Sequence, residues 1–310
     1  MKLPAKDGLL LLDKRPGITS FDSLANVKKA FATGKAGHTG TLDKFASGLL
    51  LVLVGRGVKL VPLFEDCVKE YIGTVSFGEE TDTLDPEGAV IASGKVPSRE
   101  EVEAVLPAFS GDILQSPPAY SAIHVDGRRA YELTRDGKEP EMKKRPITIF
   151  DLEIISWTPP LAEICVACSS GTYIRSLARD IALAAGSRAH LSALRRTRIG
   201  AFCIEDSVDG DDANLAEALR PLDRALIEAL SLPCFFIDTE AEEAFIHGRP
   251  LDGVLTMGIP PPEVFISSGR AGVFSKAVAN EVGGTERFLG FIERRDGRWV
   301  YGHVFDGAGA

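Results

Sequence analysis

Four consecutive leucines, Leu9 to Leu12, open a short apolar run between Gly8 and Lys14 that has no helical period and stops at Pro16-Gly17. A run of that length ended by a turn pair predicts a buried strand. Phe21, Leu24, Val27 and Phe31 then recur at steps of three and four. That stripe predicts a helix capped by Thr19 or Ser20, with Lys28 and Lys29 suited to its C-terminal dipole and Gly34 ending it. From Gly34 to Gly48 there is no apolar period, so the segment reads as a loop, and Leu49 to Val54 predicts a second buried strand. Tyr71 to Phe77 alternates as a strand does; a polar loop over Glu79–Gly88 and a helix over Arg99–Phe109 follow. Ile147–Trp157 and Ala162–Cys168 read as strands paired across the Thr158-Pro159-Pro160 turn. Tyr173–Ala185 reads as a helix with Ile174, Leu177, Ile181 and Leu183 on its apolar side.

Between these elements, residues 117–145 are polar, charged in both signs and without apolar period, a long exposed excursion of the kind that often carries function. The mixture of strands and helices with hairpin-like connections predicts an α+β fold, with a mixed, largely antiparallel sheet flanked by helices. After Gly200 the pattern changes. Six acids fall between Glu205 and Glu217, a short helical stretch runs to Leu230, and the tail has strand-like pieces at Val264-Phe265-Ile266 and Trp299-Val300-Tyr301. Two unequal domains are expected: 1–230, with 117–145 inserted in it, and a small, mostly β domain over 231–310.

Composition narrows the function. With 45% hydrophobic residues in 310, the chain can bury a sizeable core. No apolar run nears the roughly 18 residues of a membrane span or the h-region of a signal peptide, so no membrane partner is expected. Five cysteines, an odd number, suit a reducing compartment, and a cytoplasmic location is expected. Cys165 and Cys168 form a CxxC, but with no second such pair and with apolar neighbours they read as core residues, and no metal is expected. A net charge of −9 excludes indiscriminate binding to nucleic acid. The bases are nevertheless concentrated. Lys28, Lys29, Lys35 and His38 have no acid among them, and the span from Tyr173 to Gly200 holds six arginines against Asp180 alone. The excursion adds more. Local charge governs counterion release, so these runs point to a polyanionic substrate.

The sharpest candidate for chemistry is Gly37-His38-Thr39-Gly40-Thr41-Leu42-Asp43. Its glycines permit close approach by a ligand, but it lacks the GxxxxGK[ST] spacing and is no P-loop. Followed by Ala46-Ser47-Gly48, this loop resembles the signature of the TruB family, the tRNA pseudouridine-55 synthases. Further blocks are similar in order. They are Leu11-Leu12-Asp13-Lys14-Arg15-Pro16-Gly17-Ile18-Thr19-Ser20, Lys69-Glu70-Tyr71, Thr81-Asp82-Thr83-Leu84-Asp85-Pro86-Glu87-Gly88 and Gln115-Ser116-Pro117-Pro118-Ala119-Tyr120-Ser121-Ala122. Gly171-Thr172-Tyr173-Ile174-Arg175-Ser176-Leu177, Ala189-His190-Leu191 and Leu194-Arg195-Arg196 complete a set covering about residues 8 to 200. The tail resembles a PUA-like RNA-binding domain.

The resemblance implies a pseudouridine-synthase-like fold and isomerisation of one uridine in the T loop of tRNA, with base flipping, attack by an aspartate and no cofactor. By position in the motifs, Asp43 is the catalytic aspartate, Tyr71 packs on the uracil and assists proton transfer, and Arg175 pairs with the aspartate. Leu194 lines the uracil pocket, His38 enters the T loop, and Tyr173 and Lys14 join the substrate-binding set, Lys14 as support. The partner implied is the T arm of tRNA, bound by a monomer without guide RNA. Two positions depart from the pattern. Lys44 stands where the family has proline, which implies a less rigid loop and a charge in reach of a tRNA phosphate, and the N-terminal proline falls one place later, at Pro16. The reading from another class is a non-catalytic tRNA-binding or folding module, which needs the basic runs and His38 but neither Asp43 nor Arg175. A glycosidase normally pairs two carboxylates, and this loop offers one.

Overall fold

Within a computed structural model of the chain, the leucine run forms the strand Gly8–Lys14, antiparallel to Ser47–Val54. The structure describes residues 7–121, 123–125, 127–138, 140–212, 214–251, 254, 269–276 and 286–305. Side chains alternate across a sheet, so Leu9, Leu11, Leu49, Leu51 and Leu53 face one cluster, and Leu10, Leu12, Leu50, Val52 and Val54 the opposite one. Both faces are covered. That is why the sequence shows a continuous apolar run here instead of alternation.

These strands belong to a ten-stranded sheet. Along its main path run Val208–Asp209, Gly8–Lys14, Ser47–Val54, Ala189–Ile199, Lys69–Phe77, Leu161–Cys168, Arg145–Thr158 and Gly111–Gln115. Neighbours are antiparallel except where Gly8–Lys14 meets Val208–Asp209 and where Ser47–Val54 meets Ala189–Ile199. The expected mixed, largely antiparallel sheet is present. The helix Ile174–Ala184 packs Ile174, Leu177 and Ile181 against Val75, Ile164 and Leu191. Cys168 is buried and Cys165 half-buried on one strand, where residues three apart face opposite sides.

Several local expectations need correction. Phe21 is 69% exposed and lies outside the helix, which spans Leu24–Ala30. Thr19 accepts the N–H of Asp22 and caps the preceding turn, whereas Ser20 turns inward. Leu183 is exposed; Ala178 and Ala182 complete the buried face instead. The Gly34–Gly48 segment contains a three-residue strand, Ala36–His38, paired with Val52–Val54. Pro107 breaks the 99–109 helix into Arg99–Glu103 and a tight turn over Leu106–Phe109. Within the excursion, a small hairpin joins His124–Val125 to Arg128–Arg129, and the helix Ala130–Arg135 is seated by Ala130 and Leu133.

At the C-terminal end Cys234–Ile237, Arg270–Ser275, Phe288–Arg295 and Arg298–Val304 form a separate four-stranded sheet. The Thr239–Ile246 helix, capped by Asp238, packs on it. Phe274, Phe291 and Phe305 join Leu226 and Ile227 in covering the Leu9–Leu11–Leu51 face of the large sheet. The small β domain is thus seated on the body by an apolar contact. The predicted Val264-Phe265-Ile266 strand lies outside the described residues.

Candidate active site

The glycine loop leaves the strand Ala36–His38, crosses the sheet and re-enters it at Ser47. Two polar side chains from the N-terminal block fix its path. Ser20, almost wholly buried, donates to the Leu42 carbonyl at 3.0 Å and accepts the Leu42 N–H at 2.8 Å. Lys14, 2% exposed, sends its ammonium to the carbonyls of Ala46 and Ile18, each at 2.7 Å, and Arg15 at 3.0 Å. Burial pulls the Lys14 amine down to about 8, Asp43 opposing and Arg196 adding to the fall. Lys14 therefore bolts the loop to the N-terminal turn, and it does not line the cleft below.

Asp43 sits in a cleft of about 700 Å³ between the loop, the excursion and the start of the Ile174–Ala184 helix. Arg175, 5% exposed, grips it from beneath. Its Nη2 donates to Oδ1 at 3.2 Å, and its Nε lies 2.9 Å from Oδ2, out of line for a hydrogen bond. The same guanidinium donates to Asp85 at 3.0 Å, to the Thr83 carbonyl at 2.8 Å and to the Tyr120 carbonyl at 3.1 Å. One buried cation thus joins two carboxylates, and Asp85 is itself held by the Thr83 hydroxyl and the Glu87 N–H. Burial pushes the Asp43 carboxyl above its ordinary value; Arg175 is the main opposing influence, Asp85 adds to the rise and Lys14 opposes it. Even so, 37% of the Asp43 side chain faces the opening.

Tyr71 and Leu194 face the same cleft from the adjacent strands Lys69–Phe77 and Ala189–Ile199. Burial raises the Tyr71 hydroxyl above its ordinary value, with Arg196 pulling it back. Tyr173 caps the wall. Gln115, 2% exposed, accepts its N–H at 2.8 Å and donates to its carbonyl at 3.0 Å, while the Arg145 guanidinium lies 4.7 Å above its ring. Of the seven residues expected at the site, five line the cleft: Asp43, Tyr71, Tyr173, Arg175 and Leu194. His38 does not. It ends its strand opposite Val52, half-buried, and burial lowers its imidazole below the ordinary value, Arg196 adding to the fall. Among the described residues no cluster of three His, Cys, Asp or Glu side chains could hold a metal.

A match to the family model described as TruB family pseudouridylate synthase (N terminal domain) covers residues 28–174. The tRNA pseudouridine synthase B of Borreliella burgdorferi is 42% identical over 232 residues, 72% of this chain and 82% of that protein. The chain belongs to the TruB family. The tRNA pseudouridine synthase B of Gluconacetobacter diazotrophicus is 41% identical, over 83% of this chain and 87% of the relative. A chain in the crystal structure of a Cbf5-Nop10-Gar1 complex superposes with a TM-score of 0.66 at 25% identity, over 92% of this chain and 78% of that one. The pseudouridine-synthase fold and the enzymatic activity of the family, formation of pseudouridine, are thereby this chain's own.

Three residues at the cleft went unassigned in the sequence. All three lie in segments similar to the family's, but an acid before proline reads first as a turn former, and neither Gln115 nor Arg196 stands out from its neighbours. The arginine run also changes meaning. Arg175 pairs with Asp43 and Asp85, Arg179 with Asp180, Arg188 with Glu80, Arg195 with Asp13 and Arg198 with Glu70. Five of the six arginines have an acidic partner, Arg188, Arg195 and Arg198 in half-exposed pairs, so less of the run's charge is unpaired than the sequence suggests.

Lys44 has a side chain that is more than half exposed. Its ammonium lies 3.5 Å from Glu87 on the surface, an ion pair worth at most about 1 kcal/mol. Its backbone occupies the second position of a turn closed by the Ala46 N–H on the Asp43 carbonyl at 3.1 Å, the place where proline is favoured. Lys44→Pro is therefore expected to raise the urea midpoint by the equivalent of about 0.4–1 kcal/mol while leaving pseudouridine formation intact. No rise, or a fall, would show that the loop is not limited by its freedom at residue 44.

Proposed function

We propose that the chain isomerises uridine 55 in the T loop of tRNA. The observation that carries this reading is a carboxylate on a buried arginine, Asp43 on Arg175, in a cleft that Tyr71 and Leu194 also line. The relatives' name, tRNA pseudouridine synthase B, supports tRNA as the substrate. The target base leaves its stack at a cost of a few kcal/mol and enters the cleft. Stacking on Tyr71 returns about 1–3 kcal/mol, and Leu194 closes the opposite side. Ionised Asp43 attacks C1′ as the N1–C1′ bond breaks, and the freed base turns and bonds C1′ through C5 as the Asp43–C1′ bond breaks and releases the carboxylate. The C5 proton then leaves and N1 ends protonated, with Tyr71 assisting the transfer. The sum is redox-neutral and uses no second substrate, so the balance requires no cofactor. His38 reaches the T loop from the outer end of its strand as the base departs.

The chain acts as a cytoplasmic monomer without guide RNA, with a catalytic domain over 1–230 and a PUA-like one over 231–310. The five cysteines are free thiols, and no helix among the described residues is long and apolar enough to cross a membrane. Tritium release from a T-arm stem-loop carrying C5-labelled uridine tests the reading. Release with pseudouridine at position 55 supports it, whereas tight binding without release favours a binding or folding module.

With five arginines of the run in ion pairs, positive charge free for RNA lies at Lys29 and Lys35 and on the excursion. Arg129, Lys143 and Lys144 are exposed there. Binding should weaken with salt, and Arg129→Ala and Lys144→Ala should each reduce the log–log slope by about one. Arg188→Ala and Arg195→Ala should leave it unchanged. Equal effects from all four in stem-loop titrations would refute this division.

A further inference from the structure

Arg196 is the largest fully buried side chain of the molecule, 1% exposed, and it makes no ion pair among the described residues. An arginine buried without an acid carries a desolvation cost that a leucine or methionine in its place would avoid. Its donors are spent on specific groups. Nε donates to the Leu49 carbonyl at 2.8 Å and Nη2 to the Gly40 carbonyl at 3.1 Å, one on each side of the loop that carries Asp43. Arg196 is also the cross-strand partner of Tyr71, so the two side chains share a face, and both line the cleft.

We propose that Arg196 is a positioning residue that fixes the Asp43 loop against the strand that carries Tyr71. The inference rests on the reading in which Tyr71 assists proton transfer at the target base. A guanidinium can only donate, so beside Tyr71 it can meet the phenol oxygen but cannot take the phenol proton. If that proton leaves, the cation stands beside the resulting phenolate. The same group, through Gly40, sets the separation between Tyr71 and the loop three residues before Asp43. Arg196 also pulls the His38 and Lys14 titrations downward, as a charge central to the site would.

The test uses the full chain with Arg196→Gln and Arg196→Lys, single-turnover conversion of the T-arm stem-loop, stem-loop affinity, and the carbon-13 Cζ resonance of labelled Tyr71. Arg196→Gln is expected to lose about 100-fold in rate, the lower end of what a positioned acid or base supplies, with affinity held within about twofold. The Tyr71 resonance should move, and Arg196→Lys should recover part of both rate and resonance. Should Arg196→Gln fail to fold, Arg196→Lys alone must show an intermediate rate loss and a moved resonance. The proposal is overturned by a wild-type rate in the variants, by an unmoved Tyr71 resonance, or by a rate loss no larger than the loss of affinity. A wild-type chain that converts no uridine overturns the functional reading instead, and the resonance then still reports the Arg196–Tyr71 contact.

Discussion

Asp43→Asn should abolish tritium release, by at least about 10⁴-fold, while stem-loop binding persists. The amide has the shape of the carboxylate and leaves Arg175 on Asp85, Thr83 and Tyr120, so the cleft keeps its form. What disappears is the nucleophile. Stability should respond in the opposite direction. Burial raises the folded-state value of Asp43 above its unfolded one, so the fold favours the protonated acid. Wild type therefore has this contribution in full below the unfolded value and loses it as pH rises through the raised folded one. Asparagine mimics the protonated form at every pH. Asp43→Asn should accordingly be more stable than wild type at neutral pH, and the difference should close as acid protonates Asp43. Because only the ionised carboxylate attacks, the acid limb of wild-type kcat/KM should lie above the ordinary aspartate range. A limb in the ordinary range, or a variant less stable at neutral pH, would show that Arg175 outweighs burial.

The parts of this molecule that local pattern could reveal are those whose neighbours are local. The Gly8–Lys14 and Ser47–Val54 strands are legible because burial on both faces makes every position apolar. Phe21 and Leu183 mislead because a stripe at helical spacing records which residues could face a core, not where the helix starts or how close the sheet lies. The site is non-local. Arg175 meets Asp43 across 132 residues of chain, and only the resemblance of their motifs brings them together in the sequence. Charge along the chain is the poorest guide. Arg188 and Arg195 look free beside one another, yet their acids, Glu80 and Asp13, stand on elements 108 and 182 residues away. Counting bases in a window cannot register such partners.

Gly48→Ala should cost about 3–5 kcal/mol, enough to threaten the fold, although the residue touches no substrate. Gly48 holds φ at +104°, in the region open to glycine. A methyl there would lie 2.3 Å from the Arg196 carbonyl oxygen and 2.7 Å from its nitrogen. Both are backbone atoms of the partner strand, since Gly48 and Arg196 are paired where the two parallel strands meet. No rotamer change can relieve that contact. The strands must part, and the Arg196 guanidinium goes with its backbone, loosening its hold on Gly40 and Leu49. Urea unfolding should show the loss, and any folded fraction should convert stem-loop more slowly than wild type. Gly40→Ala is the matched control: its methyl would meet only the Arg196 Nη1 at 3.6 Å, an ordinary contact, and its φ is not in that region. It should cost far less. Equal losses from both alanines would mean that the whole loop resists added bulk, whereas a large difference assigns the cost to the Gly48–Arg196 junction, the point at which the Ala46-Ser47-Gly48 motif acts on the site.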